Sequence, residues 1–452
     1  MLRRLKILQN DKSFQLKRFA IIVGLITANT TFCTNPLESS NKSIANAGDD
    51  QVTYVGSYAV LNPSKSIIID DTVELIEWVQ DSSNPEEVNA LGLSLQDPTI
   101  VGFIKEGIYK FTLKISCKSG NVFSDEVLIT VNSRQAGLIE DKNLEVRIRY
   151  ILNFKEGNLD ASKLSVLDSL LYCNFSTKNK IISLNGINNC SNLTYLALPN
   201  ESIADLTPLS NLTELKFIDL NQNYTINDIS PLYNLVNVEK LILYSNPITD
   251  ISGLGSLTKL KELWLLDTPI SDINALSSLV NLEILYADGV GTGINFNSIE
   301  PLRNLTKLTH LDISGRGITD IGPLVNCINL VLLGVSYNNI TEISSVANMK
   351  KLIRLYVRLN KITDLTGIKS LENLDFLDAA DNLIIDISDL EYLQNIHLIG
   401  LSGNKIVDIL PIVNNSNLGE GVHLFLNENP LNEKSINEYI PVLISRGVRV
   451  NW

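Results

Sequence analysis

Nine acidic residues stand at one recurring place, the last residue of an Ile-x-Asp/Glu step: Asp205, Asp228, Asp250, Asp272, Asp320, Glu342, Asp364, Asp386 and Asp408. Carboxylates do acid–base work when two converge on one substrate and one has a shifted pKa. A column of nine near-identical members contains no special pair. Such acids are better suited to accept backbone N–H groups at the start of a short turn. A ladder of weak divalent-cation sites is the remaining alternative.

The other reactive residue types are sparse. His310, His397 and His423 are the only histidines. His310 and His423 fall at equivalent positions five repeats apart, roughly 25 Å at about 5 Å per coil, too far to share a metal or substrate. "GVGTG" (289–293) has no following Lys-Ser/Thr and opens no long helix, so it reads as an inserted loop and not a phosphate cradle. Of the five cysteines, Cys190 and Cys327 each precede a repeat-opening leucine by three residues, a slot filled elsewhere by leucine. They read as buried apolar substitutes, and Cys117 and Cys173 have no evident partner. No catalytic set, cofactor site or metal site is expected. The net charge of −13 excludes a nucleic-acid binder, which needs Lys and Arg against phosphate.

The elements that position these residues follow from a period. The pattern Leu-x-x-Leu-x-Leu recurs from Leu193 to Leu401, with starts at 308, 330, 352, 374 and 396, each 22 residues apart. Asn338, Asn360, Asn382 and Asn404 keep the same offset. A single repeat cannot bury its leucines, whereas stacked repeats form one core with one short parallel strand per coil. The asparagines are expected to satisfy buried backbone groups, and the outer side has room only for 3₁₀ turns. One repeat is swollen, since Leu282 to Leu308 spans 26 residues.

Ahead of the repeats, Lys and Arg residues precede the apolar run "FAIIVGLITA" (19–28), the pattern of an export signal. Ten apolar residues are too few for a membrane span. Cys33 in "TTFCTN" is a candidate for lipidation, with plain cleavage near Ala28 as the alternative. Residues 34–46 read as a tether. From 47 to 132 short alternating runs predict strands at 51–61, 74–80, 107–116 and 125–131, an all-β sandwich.

Two resemblances follow from these motifs. "NAGDDQVTYVG", "IEWVQ" and "EGIYKFTLKI" resemble PKD-type immunoglobulin-like domains, which implies core roles for Trp78 and Tyr109 and a spacer or adhesion module. The wording N-x-I-x-D-I-x-P-L resembles the internalin type of bacterial leucine-rich repeat. The expected fold is therefore an α/β-type leucine-rich-repeat solenoid, with parallel strands on the concave face and 3₁₀ turns on the convex face, plus a separate immunoglobulin-like sandwich. The expected domains are a signal peptide at 1–33, the tether, the sandwich at 47–132, and a helical N-terminal cap at 138–185. Repeats follow at 186–428, then a closing cap at 429–452, in which Pro441 is expected to kink the helix.

Function then rests on the side chains that point outward from the concave strands. These are Tyr195, Phe217, Lys240, Ile242, Tyr244, Trp264, Leu266, Tyr286, Arg354, Tyr356, Arg358, Phe376 and Phe425. A bare aromatic run from Phe217 to Tyr286 is expected, of the composition that dominates binding hot spots. Packing of these side chains on one another, or under a second copy, is the competing expectation. The reading is a non-catalytic exported protein, on the cell surface, in the outer membrane as a lipoprotein, or secreted. It would recognise a protein or glycan and touch the membrane only through a lipid. A structural envelope protein is the alternative, and an enzyme has no constellation behind it.

Overall fold

The computed structural model describes residues 42–86, 88, 98–133, 137–171 and 180–452. The signal segment, Cys33, most of the 34–46 tether and Cys173 lie outside the described residues. Among the described residues no helix is long and apolar enough to cross a membrane.

The repeats wind into a solenoid with one sheet of 13 parallel strands in chain order, from β7 (Ser169–Leu170) to β19 (Arg449–Asn451). Most are three residues long, because each coil must turn away as soon as its Leu-x-Leu pair has entered the core. Leucines and isoleucines of successive coils fuse into one continuous core that runs from Ile139 to Val448. Short 3₁₀ segments such as Ser252–Ser256 and Ser344–Asn348 cover the outer side.

Two polar devices close most coils. Within the core, Asn338 donates from Nδ2 to the carbonyls of Ile313 (3.2 Å) and Val335 (2.9 Å). Its Oδ1 accepts the N–H groups of Arg316 (2.9 Å) and Ile318 (3.0 Å) of the preceding coil. Asn360, Asn382, Asn404 and Asn429 likewise donate to carbonyls of two coils, and each accepts one N–H of the preceding coil. On the outer side, Asp205, Asp228, Asp250, Asp272, Asp320, Asp364, Asp386 and Asp408 each accept the N–H two residues on, at 2.6–3.0 Å. Ser298 takes that part in the swollen repeat, where it accepts the Glu300 N–H at 3.0 Å. Hydrogen bonds from the Thr207 hydroxyl and N–H hold the Asp205 carboxyl below its ordinary range, and the Ser252 N–H and hydroxyl do the same for Asp250.

One rung is incomplete. The repeat from Leu215 to Val238 has an additional residue, taken up near Tyr224 at φ 59°. The Asn246 Oδ1 one coil on is buried without a partner, while its Nδ2 still reaches Leu220 and Leu243 at 2.9 Å. Asn338→Ala is therefore expected to lower stability by about 2–4 kcal/mol, because it strands two N–H groups and two carbonyls. Asn246→Ala should cost about 1 kcal/mol less, having no N–H to strand. Denaturant midpoints of the two variants check this, and equal losses would refute it.

The array is capped at both ends. Helix α1 (Lys142–Ile151) starts at Asp141, whose Oδ1 accepts the N–H groups of Asn143 and Leu144 and whose Oδ2 accepts that of Ile182. A second, short helix spans Ala161–Leu164. At the far end Pro441 stands inside the closing helix, as expected, and the helix is irregular just ahead of it. Residues 433–445 are helical throughout: a wide π turn (Ser435–Tyr439) runs directly into a short α-helix (Ile440–Ser445), and Pro441 lies just past the π turn inside that run.

Residues before the cap form a β-unit with its own core around Trp78, Phe103, Tyr109, Phe111 and Leu113. Strands β1 (Gln51–Tyr54), β3 (Val73–Gln80), β5 (Gly107–Cys117) and β6 (Val122–Asn132) make a sheet ordered β1-β6-β5-β3. Strands β2 (Ser57–Leu61) and β4 (Thr99–Phe103) pair antiparallel as a second sheet. Two details depart from expectation. The predicted 51–61 strand is broken at Gly56 (φ +79°), so its halves join different sheets, and the strand at Thr99–Phe103 was not foreseen.

Candidate functional site

Parallel pairing in register stacks equivalent side chains of successive coils into columns on the concave face. One column runs Tyr195, Phe217, Lys240, Glu262, Ile284, His310, Leu332, Arg354, Phe376. The next runs Ala197, Asp219, Ile242, Trp264, Tyr286, Asp312, Gly334, Tyr356, Asp378.

Large side chains on strands about 5 Å apart crowd one another. The rings accordingly pair: Tyr195 with Phe217 (centroids 6.2 Å), Trp264 edge-to-face with Tyr286 (5.1 Å), and Tyr356 with Phe376 (4.9 Å). Tyr195 is 48% exposed, and Arg354 and Arg358 are exposed. Phe217, Lys240, Tyr244, Trp264, Leu266, Tyr286, Tyr356, Phe376 and Phe425 are half-buried.

The bare aromatic run from Phe217 to Tyr286 is thus a correction. Lys240 stands inside it, its Nζ 6.0 Å from the Phe217 ring, 5.4 Å from the Trp264 ring and 2.5 Å from a Glu262 oxygen. Ile242 is a second correction. It is 7% exposed, flanked in register by the much larger Trp264, and offers almost nothing to a ligand. Glu262 and Asp312 were not singled out from sequence; their column positions were legible, but their pairing with neighbours one coil away was not.

The electrostatics are those of a partly dry surface. Burial, then the Asp312 carboxylate, pushes the Tyr286 phenol up to about 12. Burial raises the Asp219 carboxyl, and burial followed by Asp219 raises the Tyr244 phenol. His310 is lowered by burial and by Arg354. Arg358 pairs with Asp381 at 2.6 Å. Flat aromatic faces interleaved with carboxylates and guanidinium groups can recognise a ligand.

Cys190 and Cys327 are buried and free, and burial raises their thiols to about 12 and about 11. Among the described residues no group of three or more His, Cys, Asp or Glu is placed to hold a metal ion.

Beside the Trp264–Tyr286 pair the asparagine ladder is interrupted, because Thr268 and Arg316 stand at that offset. Arg316 is fully buried. Its Nε donates to the Ala287 carbonyl (2.7 Å), Nη1 to Thr268 (3.1 Å) and Ile270 (3.3 Å), and Nη2 to Asp288 (3.1 Å). The guanidinium also lies over the Phe296 ring at 4.7 Å. Burial lowers its pKa to about 10, opposed by Asp288 and Asp267. One side chain therefore closes three coils and fixes both ends of the inserted loop. The signal was present in the sequence as an arginine in an asparagine column.

A leucine-rich-repeat family model, two copies long, matches residues 236–278. An internalin of Listeria monocytogenes superposes with TM-score 0.52 at 28% identity, covering 70% of this chain and 92% of that one. A leucine-rich-repeat protein of Leptospira interrogans aligns at 18% identity with TM-score 0.47, covering 65% of this chain and 97% of that one. The chain matches no curated protein.

Proposed function

We propose that this leucine-rich-repeat chain, internalin-like in its fold, is a non-catalytic binding protein that holds a protein or glycan against its concave face. The observation that carries the reading is the set of three aromatic pairs on one face of a 13-stranded sheet. Aromatic rings give large contact area for little lost side-chain entropy, and here the sheet holds them in place before any ligand arrives. The central contact is the Trp264–Tyr286 pair, flanked by Lys240 and Glu262. Arg354 and Arg358 supply polar contacts at the rim.

The test begins with a pull-down by the whole chain to identify the ligand. Trp264→Ala with Tyr286→Ala is then expected to weaken its binding at least tenfold, the scale of a lost hot spot. Unchanged affinity in a folded double variant would remove the central patch from the site.

Export belongs to the same reading, supported by the basic and apolar residues 3–28 and by Cys33 as a lipid acceptor. The β-unit is read as PKD-type and immunoglobulin-like on the strength of its buried Trp78 (6% exposed) and Tyr109 (0%). Antibody labelling of intact cells is expected to detect the protein. Labelling only after lysis would overturn surface display and adhesion.

A further inference from the structure

Helix α1 is covered on two sides, and the two sides are covered by different parts of the chain. Leu144, Ile148 and Ile151, at helical spacing, enter the core of the solenoid. A terminal cap helix would leave its other face to water, yet Glu145, Val146 and Arg149 are 1%, 3% and 1% exposed. Val146 and Glu145 are covered by the β-unit, at Gly102 and Gly56, while Arg149 is covered by Phe154 of the cap. In β2 and β4, Ala59, Leu61, Val101 and Phe103 point into the β-unit's own core. The alternate residues Tyr58 and Gly102, paired in register, point the other way, onto the helix.

Complementarity there is close. A Cβ at Gly102 would stand 2.5 Å from the Val146 Cγ1, and one at Gly56 would stand 2.5 Å from the Glu145 Oε2. Tyr58 packs edge-to-face on Tyr150 (5.2 Å), carries the Lys155 ammonium over its ring (5.3 Å), and donates to the Asn153 Oδ1 (3.2 Å). Ser57, fully buried, donates to the Lys155 carbonyl at 3.0 Å. Beneath the contact, Glu145 is held by Arg149 (2.7 Å) and Lys142 (2.8 Å), and Arg149 donates to the Gly157 carbonyl at 3.1 Å. A buried carboxylate and guanidinium of this kind are tolerable only where they are paired and their hydrogen-bonding groups are satisfied.

We propose that the β-unit is the outer layer of the solenoid's N-terminal cap, joined to it through α1 as one cooperative unit, and not a spacer that swings on a linker. Residues 44–452 also form one compact unit. The bond is built from shape and satisfied charge, so one methyl group in the wrong place should undo it. This inference is independent of what the concave face binds.

Hydrogen exchange on the full chain tests it. In the unaltered protein the amides of β2, β4 and α1 are expected to share one opening free energy. Exchange of β2 and β4 at least 100-fold faster than α1 would overturn the proposal. Gly102→Ala is expected to accelerate exchange in α1 and β2 at least tenfold while leaving coils beyond residue 330 unchanged. Adding Val146→Ala removes the two methyls that the new Cβ meets, and is expected to restore most of the protection. Unchanged exchange in Gly102→Ala, or no recovery in the double variant, would count against the docked arrangement.

Discussion

Arg316→Met is expected to destabilise the protein by about 3–5 kcal/mol, the loss seen when one side of a buried charged hydrogen-bond set is removed. The main-chain carbonyls of Thr268, Ile270 and Ala287 lose the Arg316 donor, that of Asp288 keeps only the Asp267 N–H, and the Asp267 and Asp288 carboxylates lose the nearby cation. Arg316→Asn restores the residue type found at this offset elsewhere, yet should fare no better. An asparagine reaches its own coil and the one before, whereas the arginine also reaches Thr268 and Ile270, more than 45 residues earlier in the chain. Arg316→Lys keeps the charge but not the planar fork and should lie between them. Chemical denaturation gives the stability, and protease cleavage within 289–297 reports the released loop. A methionine variant within 1 kcal/mol of the parent would show that the knot is ornamental.

The second large effect belongs to the other end. Glu201 stands at the asparagine offset of the first full repeat and reaches Arg147 of α1 at 2.6 Å, with both side chains 2–3% exposed. Its second oxygen accepts the Ile181 N–H at 2.7 Å. Arg147→Met leaves that carboxylate buried without its cation and is expected to cost about 3–5 kcal/mol. Arg147→Met with Glu201→Met removes both charges, and the double variant should recover at least half of the loss, since a buried ion pair is often replaceable by apolar packing. Thermal unfolding of the parent, Arg147→Met, Glu201→Met and the double variant completes the cycle. A double variant as unstable as the single one would place the main loss in the Ile181 N–H.

The repeating parts of the molecule were legible in its sequence, because repetition turns a weak local signal into a strong one. The Leu-x-x-Leu-x-Leu register, read from Leu193 to Leu401, placed strands from Tyr195 to Gly400, and the Ile-x-Asp acids read as turn caps are seen accepting backbone N–H groups. What escaped were relations between neighbouring coils. Whether Ile242 faces a ligand depends on the bulk of Trp264 one strand away, and the pattern of a single repeat does not carry that. The β-unit was harder because it occurs once. The strand at Thr99–Phe103 shows period two only in burial, with Thr99, Val101 and Phe103 inside, and "TIVGF" does not alternate polar with apolar types, so the Asp97-Pro98 turn signal ahead of it marked no strand. The docking of β2 on α1 had no sequence signature beyond Gly56 and Gly102, two small residues among many.

The two ladder devices also bear on how such a chain can change length. From Asn338 to Asn429 each coil is closed by an asparagine that reaches only the coil before it and, at most steps, by its own aspartate. Removing or duplicating one 22-residue step there leaves every such bond with an equivalent partner. Between Thr268 and Arg316 that freedom is absent, since one side chain joins three coils and any insertion would pull it from its acceptors. Gene duplication can lengthen the array after the knot, carrying Phe425 and the closing cap outward, while the Trp264–Tyr286 pair stays at a fixed distance from the first coil.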